Sequence, residues 1–112
     1  MANAFKRKYS KGIGLTATAV NNYTVPSSTE VTVIGLSLSN ISNNTITSSA
    51  YLYDGTNSNT VSIVTGATIP SGGSLIVIGG DQKIVLEPTD QIQANSSVAG
   101  SMDVILSILE IT

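Results

Sequence analysis

The chain contains no histidine, no cysteine and no tryptophan, and only 11% of its 112 residues are charged. Without histidine it lacks the one side chain whose ordinary pKa lets it move protons near neutrality. Without cysteine it has neither a thiolate nucleophile nor a disulfide, and the redox compartment stays undetermined. The two absences together remove most transition-metal ligands. Aromatics are few, one Phe and four Tyr. A core must therefore be built from Val, Ile, Leu and Ala, which favours pleated strands.

Charge is well below the roughly 25% usual for soluble domains. Low charge with a positive mean hydropathy implies a surface covered by partners or by copies of the same chain. The other reading is a secreted-style β-domain kept soluble by hydroxyls. Ser, Thr and Asn supply 38 of the 112 residues and fill the gaps of a β-type apolar pattern. The length fits one domain, enough for a core without disulfides or metal. No stretch approaches the roughly 20 apolar residues of a membrane helix. Met1 to Lys11 is polar and basic with no apolar run after it, so neither a signal peptide nor a membrane partner is expected.

Charge is also uneven. Lys6, Arg7, Lys8 and Lys11 lie in the first eleven residues, and from Gly12 onward Lys83 stands alone against seven acidic residues. The expected organisation is a basic arm or edge strand over 1–11 and a sandwich body over 12–112. The arm could dock on an acidic partner with Phe5 as its apolar anchor. It could equally be an edge strand whose lysines discourage wrong pairing. Four charges without an aromatic platform give only weak, salt-sensitive affinity for nucleic acid, which is not the expected partner.

No segment keeps helical apolar spacing for three turns, whereas period-two segments recur between turn signals. Leu15 to Val20 alternates. Val31 to Ile41 changes parity at Gly35, where a bulge or kink would keep its apolar side on the core. Ile46 to Tyr53 places Ile46, Ala50 and Leu52 opposite Tyr51 and Tyr53, and Asp54-Gly55 signals a hairpin. Val61 to Thr65 is expected to turn Val61 and Ile63 inward. Leu75 to Ile78 reads as a central strand, and Ile84 with Leu86 as one face of another. Gln91 to Ala94 is short. Met102 to Ile111 is apolar on both parities, so one of its faces meets another layer or a neighbouring subunit. Ile105, Leu109 and Ile111 are the expected oligomer contacts. Eight to nine short strands predict an all-β antiparallel sandwich, jelly-roll or Ig-like, with a closed barrel as the alternative. Thr24-Val25-Pro26-Ser27 before Val31 is echoed at identical spacing by Thr68-Ile69-Pro70-Ser71 before Leu75.

Chemical sites are sparse. Glu30, Asp54, Asp81, Glu87, Asp90, Asp103 and Glu110 are scattered over turns and strand ends, and no paired carboxylates or Lys-bearing phosphate loop are evident. The oxygen-rich Asp54 to Asn59 has one carboxylate, too few for a hard-cation site. No catalytic residue, metal or cofactor is expected. Tyr51 and Tyr53 form a candidate contact patch for protein or sugar, or a ladder shielding the sheet.

The segments Met1-Ala2-Asn3-Ala4-Phe5-Lys6, Tyr23-Thr24-Val25-Pro26 leading to Val33-Ile34-Gly35-Leu36, Ile69-Pro70-Ser71-Gly72-Gly73-Ser74-Leu75 leading to Gly79-Gly80-Asp81-Gln82-Lys83-Ile84-Val85-Leu86-Glu87, and the ending Asp103 to Ile111 resemble small structural proteins of tailed bacteriophages. The likeness is clearest in marine and cyanobacterial types. It implies a non-enzymatic virion protein, built as a β-sandwich and present in many copies. Homo-oligomers that dock on the major capsid protein or other virion proteins are expected. A shell decoration protein is the first expectation. A neck or tail accessory is the second, and a carbohydrate-binding fibre module using Tyr51 and Tyr53 the third.

Overall fold

The computed structural model describes residues 3–79 and 83–112; Asp81 lies outside them. Among the described residues nine strands follow in chain order: β1 (Asn3–Ile13), β2 (Thr18–Ala19), β3 (Glu30–Asn40), β4 (Ile46–Asp54), β5 (Asn59–Ile69), β6 (Ser74–Ile78), β7 (Ile84–Leu86), β8 (Gln91–Ser96) and β9 (Met102–Ile111). A short 3-10 turn spans Val20–Asn22. Sheet A has the order β1-β9-β3-β6, with β7 pairing β3 beyond the end of β6. Sheet B has the order β2-β8-β4-β5.

The pairing is nested: β1 with β9, β2 with β8, β3 with β6, β4 with β5, all antiparallel. This is the jelly-roll form of the sandwich. The all-β expectation holds, and of the arrangements considered the jelly-roll is the one adopted.

Alternation builds the core. In β9, Met102, Val104, Leu106 and Ile108 point inward, and in β3 so do Val31, Val33, Leu36 and Leu38, all buried. Sheet B answers these bulky residues with Ala50 and Ala94 at its centre and Ile46, Ile69 and Ile92 around them. Large against small across the interface lets the layers interdigitate.

The parity change in β3 is a bulge. Val33 pairs Ile108 and Gly35 pairs Ser107, so Ile34 is the extra residue and Leu36 returns to the core side. Two proline turns carry the chain from sheet B to sheet A. Val25 before Pro26 and Ile69 before Pro70 are both buried, and the strands that follow, β3 and β6, are neighbours in sheet A. The repeated motif thus marks equivalent crossings.

Three strand expectations change. Leu75 to Ile78 is an edge strand rather than a central one: among the described residues β6 pairs with β3 alone, and a register shift leaves Val77 without a β3 partner, so that Leu75 and Ile78 face in while Ile76 faces out. In β5, Ile63 packs against the core as expected, from a bulge, and Val64 opposite Ala50 packs there too, while Val61 is exposed at the outer part of the strand. Of Leu15 to Val20 only Thr18–Ala19 pairs, and Leu15 is exposed.

Candidate functional site

The basic segment forms β1, at one edge of sheet A, and alternation divides its side chains between two environments. Lys6 and Lys8 turn toward the open side of the sandwich. The Lys6 amine lies 3.2 Å from a Glu110 carboxylate oxygen. The Lys8 amine sits 4.7 Å from the centre of the Tyr23 ring, within cation–π range. Tyr23 donates its hydroxyl hydrogen bond to the other Glu110 oxygen. Glu110 follows Val104, Leu106 and Ile108 on the inward parity of β9, so this cluster plugs the end of the core. The Tyr23 hydrogen bond, and then Lys6, hold the Glu110 carboxyl below the ordinary carboxylate range against the opposing effect of burial. Burial, and then Glu110 itself, push the Tyr23 phenol upward. Lys6 and Lys8 thus both make contacts within the fold, Lys6 with its side chain 48% exposed.

Phe5, Arg7, Tyr9 and Lys11 alternate with them and belong to the outer face of sheet A. There the register assembles two rows across the strands. Phe5 pairs Leu109, Leu109 pairs Thr32, and Thr32 pairs Val85. Tyr9 pairs Ile105, Ile105 pairs Ser37, and Ser37 pairs Ile76. Each row thus reads aromatic, aliphatic, hydroxyl, aliphatic. Between them runs a row of Arg7, Ser107 and Gly35. Phe5 is 77% exposed, Tyr9 52%, Ile105 48%, Ile76 64% and Val85 60%. Single exposed apolar residues are ordinary on protein surfaces, but a contiguous group of this kind marks a contact site. Leu109 and Ile111, half-buried, extend the group along β9.

Ile105, Leu109 and Ile111 therefore share one solvent-facing side, together with Phe5, and Arg7 and Lys11 border it. The Arg7 guanidinium lies 5.9 Å from the centre of the Tyr9 ring. Asp103 accepts a hydrogen bond from the Gly12 backbone N–H at 3.0 Å and fixes the turn of β1 beside this border. Tyr9, Ile76 and Val85 were not singled out in the sequence. Their signal was parity: Tyr9 falls in step with Phe5, and Val85 stands between the inward Ile84 and Leu86.

Tyr51 and Tyr53 lie elsewhere, on the outer face of sheet B. Both are half-buried. Tyr51 pairs Gln93 and Ser62, and Tyr53 pairs Gln91 and Thr60. The Tyr51 hydroxyl donates to Asn95 Oδ1 at 3.3 Å, Gln93 Nε2 donates to Gln91, and Gln91 Nε2 donates to Thr24. This face is a neutral lattice of amides and hydroxyls around two rings, separate from the apolar rows of sheet A.

Asp54 and Asp90 serve local structure. Asp54 accepts from the Thr56 and Asn57 backbone N–H groups and from the Asn57 amide, which holds its carboxyl below the usual range, the Asn57 side chain first. Asp90 accepts from the Glu87 N–H. Among the described residues no three of His, Cys, Asp and Glu converge as metal ligands would, and no helix is long and apolar enough to cross a membrane.

No family model matches the chain, and no curated protein is significantly similar to it. Among solved structures it is similar to a chain of Bacillus endospore appendages, a family of disulfide-linked pili. The TM-score is 0.60 at 13% identity, covering 98% of this chain and 88% of the other. Identity this low is evidence of a shared fold alone. The protein is thus a small β-sandwich of a kind that also occurs in an assembled surface appendage.

Proposed function

We propose that this protein is a non-enzymatic structural subunit, displayed in many copies on a virion as a shell decoration protein. One observation carries the reading: a chain with few charges exposes two ordered apolar rows on one sheet face, and such a face marks a contact surface. The resemblance to tailed-phage structural proteins supplies the virion, and the basic border of Arg7 and Lys11 supplies an attachment for acidic surface. Repetition over a shell lets modest contacts add up to a large gain in particle stability.

A pilus-type polymer is the second reading, favoured by the fold likeness over nearly the whole chain. A filament of this sequence would be held without disulfides, since it has no cysteine.

Immunogold labelling of the culture that produces the protein distinguishes the two. The shell reading predicts gold over particle heads at many copies per particle. Gold along filaments, or only on soluble protein, contradicts it. Attachment is tested with Arg7→Glu together with Lys11→Glu. Lys6 is left alone because its loss would unpair Glu110. The double variant is expected to keep the wild-type melting temperature and to lose most of its occupancy on particles.

A further inference from the structure

We infer that the outer face of sheet A is closed by the same face of a second copy, related by a two-fold axis lying across the strands along Arg7, Ser107 and Gly35. The inference rests on the structural-subunit reading and names the partner of that surface. Its basis is self-complementarity. A half-turn about the central row lays each apolar row of one copy over the other row of its mate, as an isologous contact requires. Phe5 then faces the second copy's Tyr9, Leu109 its Ile105, Thr32 its Ser37 and Val85 its Ile76. At every strand an aromatic meets an aromatic, an aliphatic an aliphatic and a hydroxyl a hydroxyl.

Neither apolar row holds a charged side chain. Arg7 lies on the axis and meets its counterpart in the second copy, a like-charge approach confined to the exposed β1 edge, where solvent and salt screen it and each guanidinium lies against its own Tyr9 ring. A shallow depression lined by Gly35, Ser37, Ile76, Ile105 and Ser107 lies between the rows near the axis, leaving relief for facing side chains. Packed sheets turn by about 30° relative to one another, which displaces contacts at the rims and keeps strip on strip at the centre.

The area is sufficient. Four strand positions about 4.8 Å apart, three filled by β1, β9 and β3 with 11, 10 and 11 residues and the fourth shared by β6 with 5 and β7 with 3, make a face of at most roughly 19 by 30 Å at about 3.3 Å per residue. Two such faces bury about 1,100 Å² before side-chain relief is counted, near the lower bound for a specific interface.

Two measurements on the full chain test this. Sedimentation over a concentration series is expected to show wild type passing from monomer to dimer. Ile105→Lys and, separately, Ile76→Lys should weaken the dimer at least about tenfold while matching the wild-type melting temperature at dilutions where wild type is monomeric, since both positions are solvent-facing in the single chain. Ser107→Cys introduces the one thiol of the sequence next to the axis and should form a covalent dimer far faster than Ser62→Cys on the far sheet. A wild type that stays monomeric at all concentrations, or equal crosslinking at the two positions, overturns the two-copy contact. Capture of the major shell protein by the monomer, abolished by Ile105→Lys, overturns it too. Particle labelling judges the structural-subunit reading independently of these results.

Discussion

Glu110 shows how one acidic side chain closes this core. It stands where the alternation of β9 calls for an apolar residue, and it is accommodated because Tyr23 and Lys6 complete its hydrogen bonding. Removing one member of a buried polar cluster leaves the others unsatisfied. Glu110→Gln is expected to lower stability at neutral pH by about 1–3 kcal/mol, read from urea unfolding. The folded-state carboxyl lies below its unfolded value, so its contribution is present above about pH 4.3 and is lost as pH falls through the folded pKa. The gap between wild type and Glu110→Gln should accordingly narrow from pH 6 to pH 3. A gap that stays constant over that window would show that the carboxylate charge contributes nothing. Asn40 plays a comparable part at the other end of β3. Its buried amide donates to the Asn44 and Ile69 carbonyls, and its oxygen accepts from the Ser42 N–H and hydroxyl.

At the level of the element, turns and bulges decide which face each strand presents. Asp54-Gly55 opens the β4–β5 hairpin as the sequence predicts, and the turn packs against Thr89. A Cβ on Gly55 would lie 2.3 Å from the Thr89 carbonyl oxygen. Gly55→Ala is therefore expected to cost about 1–3 kcal/mol by overpacking against backbone, visible as a lowered thermal midpoint. An unchanged midpoint would mean the turn is free to move away from Thr89. Period-two alternation made most strands legible, and the switch of parity at Gly35 announced the bulge at Ile34. The two apolar sides of β9 were equally plain. Edge strands were less so. A continuous apolar run such as Leu75 to Ile78 reads as doubly buried until a register shift divides it between core and outer face. Val61 keeps the inward parity of its partner Leu52 and is exposed because it lies at the outer part of an edge strand. The arm was read as one basic unit, whereas alternation sends Lys6 and Lys8 inward and leaves Arg7 and Lys11 out. Tyr23 and Glu110 are 87 residues apart in the chain, and nothing local relates them before the sandwich is closed.

At the level of the whole molecule, the two sheets have different outer surfaces. Sheet B presents amides, hydroxyls and two half-buried tyrosines bound into a hydrogen-bonded lattice. Sheet A presents apolar rows with a basic border. A sandwich with one such side is suited to stacking on a flat neighbour and leaving the other side to water. On the proposed reading low charge follows, because a subunit fixed in a particle would need no self-repulsion to remain dispersed. The account stands on the claim that the outer face of sheet A is covered in the assembled state. Oxidative footprinting of Phe5 and Tyr9 tests it most directly, comparing assembled particles with the dilute isolated chain. The account predicts that both rings lose most of their reactivity on assembly. Rings that react equally in the two states would contradict it.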